Sequence, residues 1–321
     1  MQLKKITYSL DQDDRIFLRK KLFLGKRLVK ISLCTVAGTK DGVSRKPNED
    51  AVSVLVRNNK LFAAVFDGTS SQKPIPDLKE VTGARFASHF LKEQFELEQM
   101  GTLPAEIIRN LNKALLSKSL QFGGTSLTDP ASLPASTATI VELDPEQNIL
   151  QVSHVGDSFC ILFYKNGHSE FVTVDRNRLY DEHTLGLMQS IAKKSKITPR
   201  EARKDERVSQ EVARMFQDSH NKADGTGQGV IDGNPNAEQY IQDISLSLDL
   251  VSAILLGSDG LLPPGWDEQT ERDRQKMLQA IRQGGLENLI QVKQQMEDND
   301  PDWHFLRYKH SDDASAILIE L

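Results

Sequence analysis

Short apolar, β-rich runs recur along this chain from Ile31 to its last residue, and the final one, Ala314–Leu321, stands far from the first, Ile31–Thr35. Between them lie Ala51–Val56, Leu61–Phe66, Thr137–Glu142, Ile149–His154, Cys160–Tyr164, Glu170–Val174 and Leu250–Leu256. Each is rich in β-branched, aliphatic or aromatic residues, as strands are. Runs at opposite ends of a chain bury themselves by pairing across it, so one interleaved α/β domain fits better than two consecutive ones. Helical spacing shows at three places: Val81, Ala84, Ala87, Phe90 and Leu91; Ile107, Ile108, Leu111, Ala114 and Leu115; and the region Met277–Met296. At 321 residues such a domain encloses a sizeable core without a disulfide or metal staple.

Composition excludes several classes. With 40 Lys+Arg against 45 Asp+Glu, a net charge of -5, no global field draws the chain to nucleic acid. Cys34 and Cys160 lie far apart inside apolar runs and read as small core residues in a reducing compartment. The apolar start is interrupted by Asp11, Asp13 and Asp14, so it forms no signal-peptide core, and no apolar run approaches the ~20 residues of a membrane span. A cytoplasmic protein is expected. Residues 15–30 carry seven Lys or Arg and no acid among apolar residues. They read as a basic N-terminal extension (1–30) resting its apolar side on the core; a peripheral-membrane or partner-docking helix is the less favoured reading. The polar stretch 176–245 reads as a solvated helical insertion whose Gly-rich loop, Asp224–Asn236, has no phosphate-cradle pattern.

The acids fall at the ends of strands. Leu61–Phe66 runs into Asp67-Gly68, Ile149–Val155 into Gly156-Asp157-Ser158, and Val251–Gly257 into Ser258-Asp259-Gly260. Conversely, Asn48-Glu49-Asp50 immediately precedes Ala51–Val56, and Asp312-Asp313 immediately precedes Ala314–Leu321. If strands ending in acids run opposite to strands beginning with them, all five clusters meet at one rim. Like charges so gathered call for a cation, and a donor set of hard oxygens favours Mg²⁺ or Mn²⁺. Two such ions bridged by one aspartate and one water suit phosphate-ester hydrolysis, with Arg45 placed to fork onto the phosphate.

The motifs together resemble those of the metal-dependent type 2C protein phosphatases: Arg45-Lys46-Pro47-Asn48-Glu49-Asp50, Phe62-Ala63-Ala64-Val65-Phe66-Asp67-Gly68, Ala135-Ser136-Thr137-Ala138-Thr139, Val155-Gly156-Asp157-Ser158, Gly257-Ser258-Asp259-Gly260-Leu261 and Ser311-Asp312-Asp313-Ala314-Ser315, in order over residues 31–321. The resemblance implies an α+β fold, a four-layer α/β/β/α sandwich of two antiparallel sheets flanked by helices, with 176–245 as the flap. It implies metal ligands Glu49, Asp50, Asp67, Gly68, Asp157, Asp259 and Asp312. In this scheme Asp67 bridges two ions, the Gly68 carbonyl binds one, Asp259 and Asp312 bind the other, Glu49 acts through water and Asp157 helps a looser third ion. Arg45 and Asp67 are then the catalytic pair, and the substrate is a phosphorylated protein.

Three positions depart from that pattern. Thr69 stands where the family has a histidine, its general acid; Phe159 replaces an arginine and Asp313 an asparagine, the last expected to tighten the ion. A threonine hydroxyl gives up no proton near neutral pH. The expected activity is therefore dephosphorylation of phosphoserine or phosphothreonine, biased toward aryl phosphates with easier leaving groups. The alternative is a pseudophosphatase that binds a phosphorylated partner without turning it over. His154 and His310, the histidines nearest the acids, are expected to be structural.

Overall fold

The computed structural model describes residues 4–5, 15–40, 44–45, 47–69, 73–79, 81–98 and 101–321. In chain order the strands and helices are β1 (Lys4–Lys5), β2 (Arg15–Leu24), β3 (Arg27–Val36), β4 (Thr39–Lys40), β5 (Ser44–Arg45), β6 (Ala51–Arg57), β7 (Lys60–Thr69), α1 (Gly83–Leu97), α2 (Pro104–Ser119), β8 (Ala135–Asp144), β9 (Ile149–Val155), β10 (Phe159–Tyr164), β11 (Ser169–Phe171), α3 (Arg178–Ser195), α4 (Pro199–Ala202), α5 (Glu206–Ser219), β12 (Gln242–Ser247), β13 (Val251–Gly257), α6 (Glu271–Gly284), α7 (Leu286–Asp298) and β14 (Ala314–Glu320). One sheet has the order β1-β6-β7-β8-β9-β12, the other β11-β10-β13-β14-β3-β2, and β4-β5 is a small separate pair. All strand pairs of the two large sheets are antiparallel.

Alternation along the strands builds the layers. Val52, Val54, Ala63, Val65, Val141 and Val152 from one sheet meet Val29, Ile31, Leu33, Ile254 and Ile317 from the other in a central core. The opposite faces carry Ala51, Phe62, Ala64, Phe66 and Ile140, covered by Leu91, Phe95, Ile108 and Leu111 of α1 and α2, and Cys34, Ile161, Phe163 and Leu255, covered by Met277, Ile281, Leu289 and Ile290 of α6 and α7. The result is the expected four-layer sandwich, with β14 wedged between β13 and β3 and so joining the two ends of the chain. Cys34 and Cys160 are free and fully buried, as expected, and burial pushes the Cys34 thiol up to about 12.

Three expectations need correction. The basic segment 15–30 is neither an extension nor a helix: β2 pairs residue by residue with β3, so a boundary at residue 30 would cut through a strand. Its period of two was obscured because both faces carry apolar residues, Ile16, Leu18, Leu22 and Leu24 on one and Phe17 and Phe23 on the other. The insertion closes before residue 245, since Gln242–Ser247 is a strand paired with β9. Within the insertion, α3, α4 and α5 are not merely solvated, because Met188, Ile191, Ala192, Ala202 and Val208 form a small core of their own. The region Met277–Met296 is two helices, broken at Gly285, whose φ of +79° favours glycine.

Candidate active site

The strand registers bring the acids to one rim. Ala51, just after Glu49-Asp50, lies opposite Phe66, just before Asp67; Asp67 lies opposite Thr137; Val155, two residues before Asp157, lies opposite Ala138. On the second sheet, Gly257, two residues before Asp259, lies opposite Ala316 near the start of β14. Antiparallel pairing thus places strand ends and strand beginnings side by side. Asp67, Gly68, Asp157, Asp259 and Asp312 line one cleft of about 290 Å³. Gly68 is held there by crowding: a Cβ on it would stand 2.6 Å from the carbonyl oxygens of both Glu49 and Ala84, closer than side chains come.

Burial and mutual repulsion govern the electrostatics. Burial, then Asp50, Asp259 and Asp157, raise the Asp67 carboxyl well above the usual carboxylate range. Burial with Asp157 and Asp312 pushes Asp259 up to about 7, and burial with Asp175 pushes Asp157 up to about 6. These shifts express negative charge that the protein itself does not neutralise. Among the described residues no three or more His, Cys, Asp or Glu side chains are gathered into a ready metal cage. The donor set nonetheless fits a hard divalent cation. It is all oxygen, and Asn177, whose Nδ2 donates to Asp157 Oδ2 at 2.8 Å, leaves its Oδ1 buried in the cleft wall without a partner.

Not every expected ligand faces the cleft. Glu49 is buried and its Oε1 accepts from Thr82 Oγ1 at 2.7 Å. Asp50 lies beneath the rim, accepting from Ser258 Oγ at 2.7 Å, and burial followed by Asp313 raises its carboxyl. Asp313 was expected to tighten the ion, but its two oxygens accept the backbone N–H groups of Gly38 at 2.6 Å and Glu49 at 2.9 Å. It stitches two loops together. Thr69 does line the cleft. The side chain of Arg45, expected to hold the phosphate, lies outside the described residues. His154 is structural as expected: buried, with Nδ1 3.0 Å from Thr139 Oγ1 and Nε2 3.3 Å from the Val174 carbonyl, its pKa lowered by burial to about 4. His310 Nε2 lies 3.6 Å from Asp298.

Sequence reading missed the cations of the cleft. Lys309 Nζ donates to Asp312 Oδ1 at 2.8 Å; burial alone would lower its pKa, but Asp312, Asp259 and Glu49 outweigh burial and raise it. Arg203, following α4, also lines the cleft. Its guanidinium lies over the Tyr308 ring, 5.9 Å from the centroid, and its Nε is buried without a partner. Neither residue adjoins a strand, so nothing in the strand-end pattern marks them. Asp175 was findable, since it directly follows the run Glu170–Val174. It caps the start of α3, accepting from the amides of Asn177 and Arg178.

Two antiparallel sheets flanked by helices thus meet at a rim that holds an aspartate-lined cleft. The family model "Protein phosphatase 2C" matches residues 37–299, and the chain belongs to that family. Among solved structures it is similar to the serine/threonine phosphatase Stp1 of Staphylococcus aureus (17% identity, TM-score 0.53, covering 94% of this chain and 98% of that one). It is also similar to the serine/threonine phosphatase PstP/Ppp of Mycobacterium tuberculosis (17%, 0.52, 91% and 98%) and to RsbX in complex with magnesium (14%, 0.51, 95% and 100%). At these identities the likeness concerns the fold. A comparison with curated proteins gave no match. Among the described residues no helix is long and apolar enough to cross a membrane.

Proposed function

We propose that this chain is a Mg²⁺- or Mn²⁺-dependent phosphatase that removes phosphate from serine or threonine residues of phosphoproteins in a reducing, cytoplasmic setting. The observation that carries this reading is the cleft in which Asp67, Asp157, Asp259 and Asp312 converge, the first three with carboxyls raised by desolvation and by neighbouring acids. Family membership and the magnesium in RsbX support it. Asp67 with the Gly68 carbonyl, and Asp259 with Asp312, would hold two ions; Glu49 and Asp50 would back them, and Asp157 would take part in a third. Bound there, such ions would activate a bridging water and offset charge on the phosphoryl group.

The chain's own cations complete the task. Lys309 and Arg203 would meet the phosphate oxygens from two walls of the cleft, Arg45 is the further cation the family resemblance assigns to them, and the flap that carries Arg203 would exclude water. Thr69 supplies no proton at neutral pH, so a good leaving group is favoured over an alkoxide. The test is Mn²⁺-dependent hydrolysis of an aryl phosphate and of a phosphothreonine peptide by the wild-type chain and by Asp67→Asn. Turnover by wild type, fastest on the aryl ester and lost in the variant, is expected. Wild type no faster than Asp67→Asn on both substrates would leave the non-hydrolytic, phospho-partner-binding reading, which rests on Thr69 alone.

A further inference from the structure

The hairpin of β2 and β3 pairs Phe17 with Cys34, Arg19 with Ser32, Lys21 with Lys30 and Phe23 with Leu28. With a side-chain period of two, these four pairs share the outward face of their sheet. Helices α6 and α7 cover only the first part of that face. Phe17 and Cys34 lie beneath them, and Arg19 meets the turn between them, donating to the Gly284 carbonyl at 3.1 Å and to Glu287 Oε2 at 2.6 Å. Past that turn the helical layer stops. Lys21 and Lys30 are exposed, and Phe23 and Leu28 are 70% and 43% exposed. A groove of about 740 Å³ runs between this bare face and the end of α6, with Leu278, Ile281 and Leu318 in its lining and Lys21, Lys30 and Arg282 among its cations.

This face carries several features that a merely structural surface avoids. Two lysines directly opposite one another across strands repel, and among the described residues the one carboxylate pairing with either is Glu320, 4.0 Å from Lys30. An aromatic and a leucine are paired in water. The cations are not background, because the chain as a whole carries a net charge of -5. The groove also lies away from the carboxylate rim: it takes in Ser252, at the start of β13, and Glu320, at the end of β14, whereas the rim lies at the opposite ends of both strands, roughly 20 Å away at about 3.3 Å per residue.

We propose that this groove is a docking site for an extended, acidic segment of a partner protein. A carboxylate of the segment would sit between Lys21 and Lys30, another would reach Arg282, and an apolar side chain would cover Phe23 and Leu28. A linear segment fits because the cations and the apolar lining belong to a groove, which a flat bilayer cannot fill. Docking here leaves the cleft free, so it would hold a substrate or regulator beside the site without competing for it.

The test uses the full chain and a fluorescein-labelled peptide of about twelve residues alternating Glu with Val, with a Lys-Val peptide and phosphatidylserine vesicles as controls. Wild type should bind the Glu-Val peptide and not the Lys-Val peptide, with affinity falling as salt rises. Lys21→Glu/Lys30→Glu should weaken binding at least tenfold, and Lys21→Gln/Lys30→Gln, which relieves repulsion and so keeps the fold, should weaken it severalfold. Both variants should hydrolyse an aryl phosphate as wild type does. No binding by wild type, equal binding by wild type and the Gln variant, or binding to vesicles but not to the peptide would overturn the proposal.

Discussion

Like charges crowd together at two places in this molecule. At the rim, Asp67, Asp157, Asp259 and Asp312 converge in a cleft where desolvation and mutual repulsion raise the first three carboxyls; at the hairpin, Lys21 faces Lys30 across two strands in open solvent. The geometry of repulsion is similar, and the consequence is not. Water and salt screen the exposed pair to a small effect, whereas the carboxylates, gathered in a cleft that is only partly open to water, are screened less and answer by holding protons, or by holding a cation. Enclosure in a cleft, rather than the number of charges, sets the rim apart from the hairpin.

The largest effect that could break this contrast is at the rim. Asp259→Asn removes one negative charge from the cluster. It should lower Mn²⁺-dependent aryl phosphate hydrolysis on the order of a thousandfold, about 4 kcal/mol of transition-state stabilisation, while raising the melting temperature of the metal-free protein. A melting temperature that fell instead would mean that the carboxylates are not in conflict.

His154 sharpens the point, since it is buried three residues before Asp157 yet stays neutral. Its pKa is lowered by burial from 6.5 to about 4, so the unfolded chain binds the proton first as pH falls. Its contribution to stability is whole above pH 6.5 and is lost on the way down to pH 4, by at most about 3 kcal/mol. Asp157 and Asp259, whose pKa values are raised, act in the opposite sense over the same acidic range. The check is therefore the difference between wild type and His154→Gln in denaturant unfolding from pH 7 to 4, which should shift in favour of the variant as pH drops.

Gly68→Ala tests the geometry of the rim and not its charge. Its Cβ would press on two backbone carbonyls, and the strain should lower unfolding free energy by about 2 kcal/mol and reduce turnover with it. Smallest of all, Lys21→Gln/Lys30→Gln should stabilise the chain by about 0.5 kcal/mol at low salt, a gain that shrinks as salt is added. A change as large as that at Asp259 would erase the distinction between the two regions.

Much of the rim was legible because strand ends announce themselves: an apolar run broken by Asp-Gly has one direction, and two families of such runs can meet only one way in an antiparallel sheet. Lys309 and Arg203 were not legible, since they come from a loop and a flap whose folding against the cleft leaves no periodic trace. Asp312 and Asp313 show the limit at finer scale. They are adjacent and identical in type, yet one faces the cleft and the other binds the backbone of Gly38 and Glu49. Strand β12 was hidden for a different reason: only Ile244 and Leu246 alternate among polar residues, too short a signal to stand out from the flap that precedes it.

The most direct measurement is a calorimetric Mn²⁺ titration of the wild-type chain beside Asp67→Asn and Asp259→Asn. Binding by wild type with proton release near neutral pH, and weakening of at least tenfold in each variant, is the result expected of a carboxylate cluster built for a cation. Absence of binding by wild type, or equal binding by all three, would contradict it.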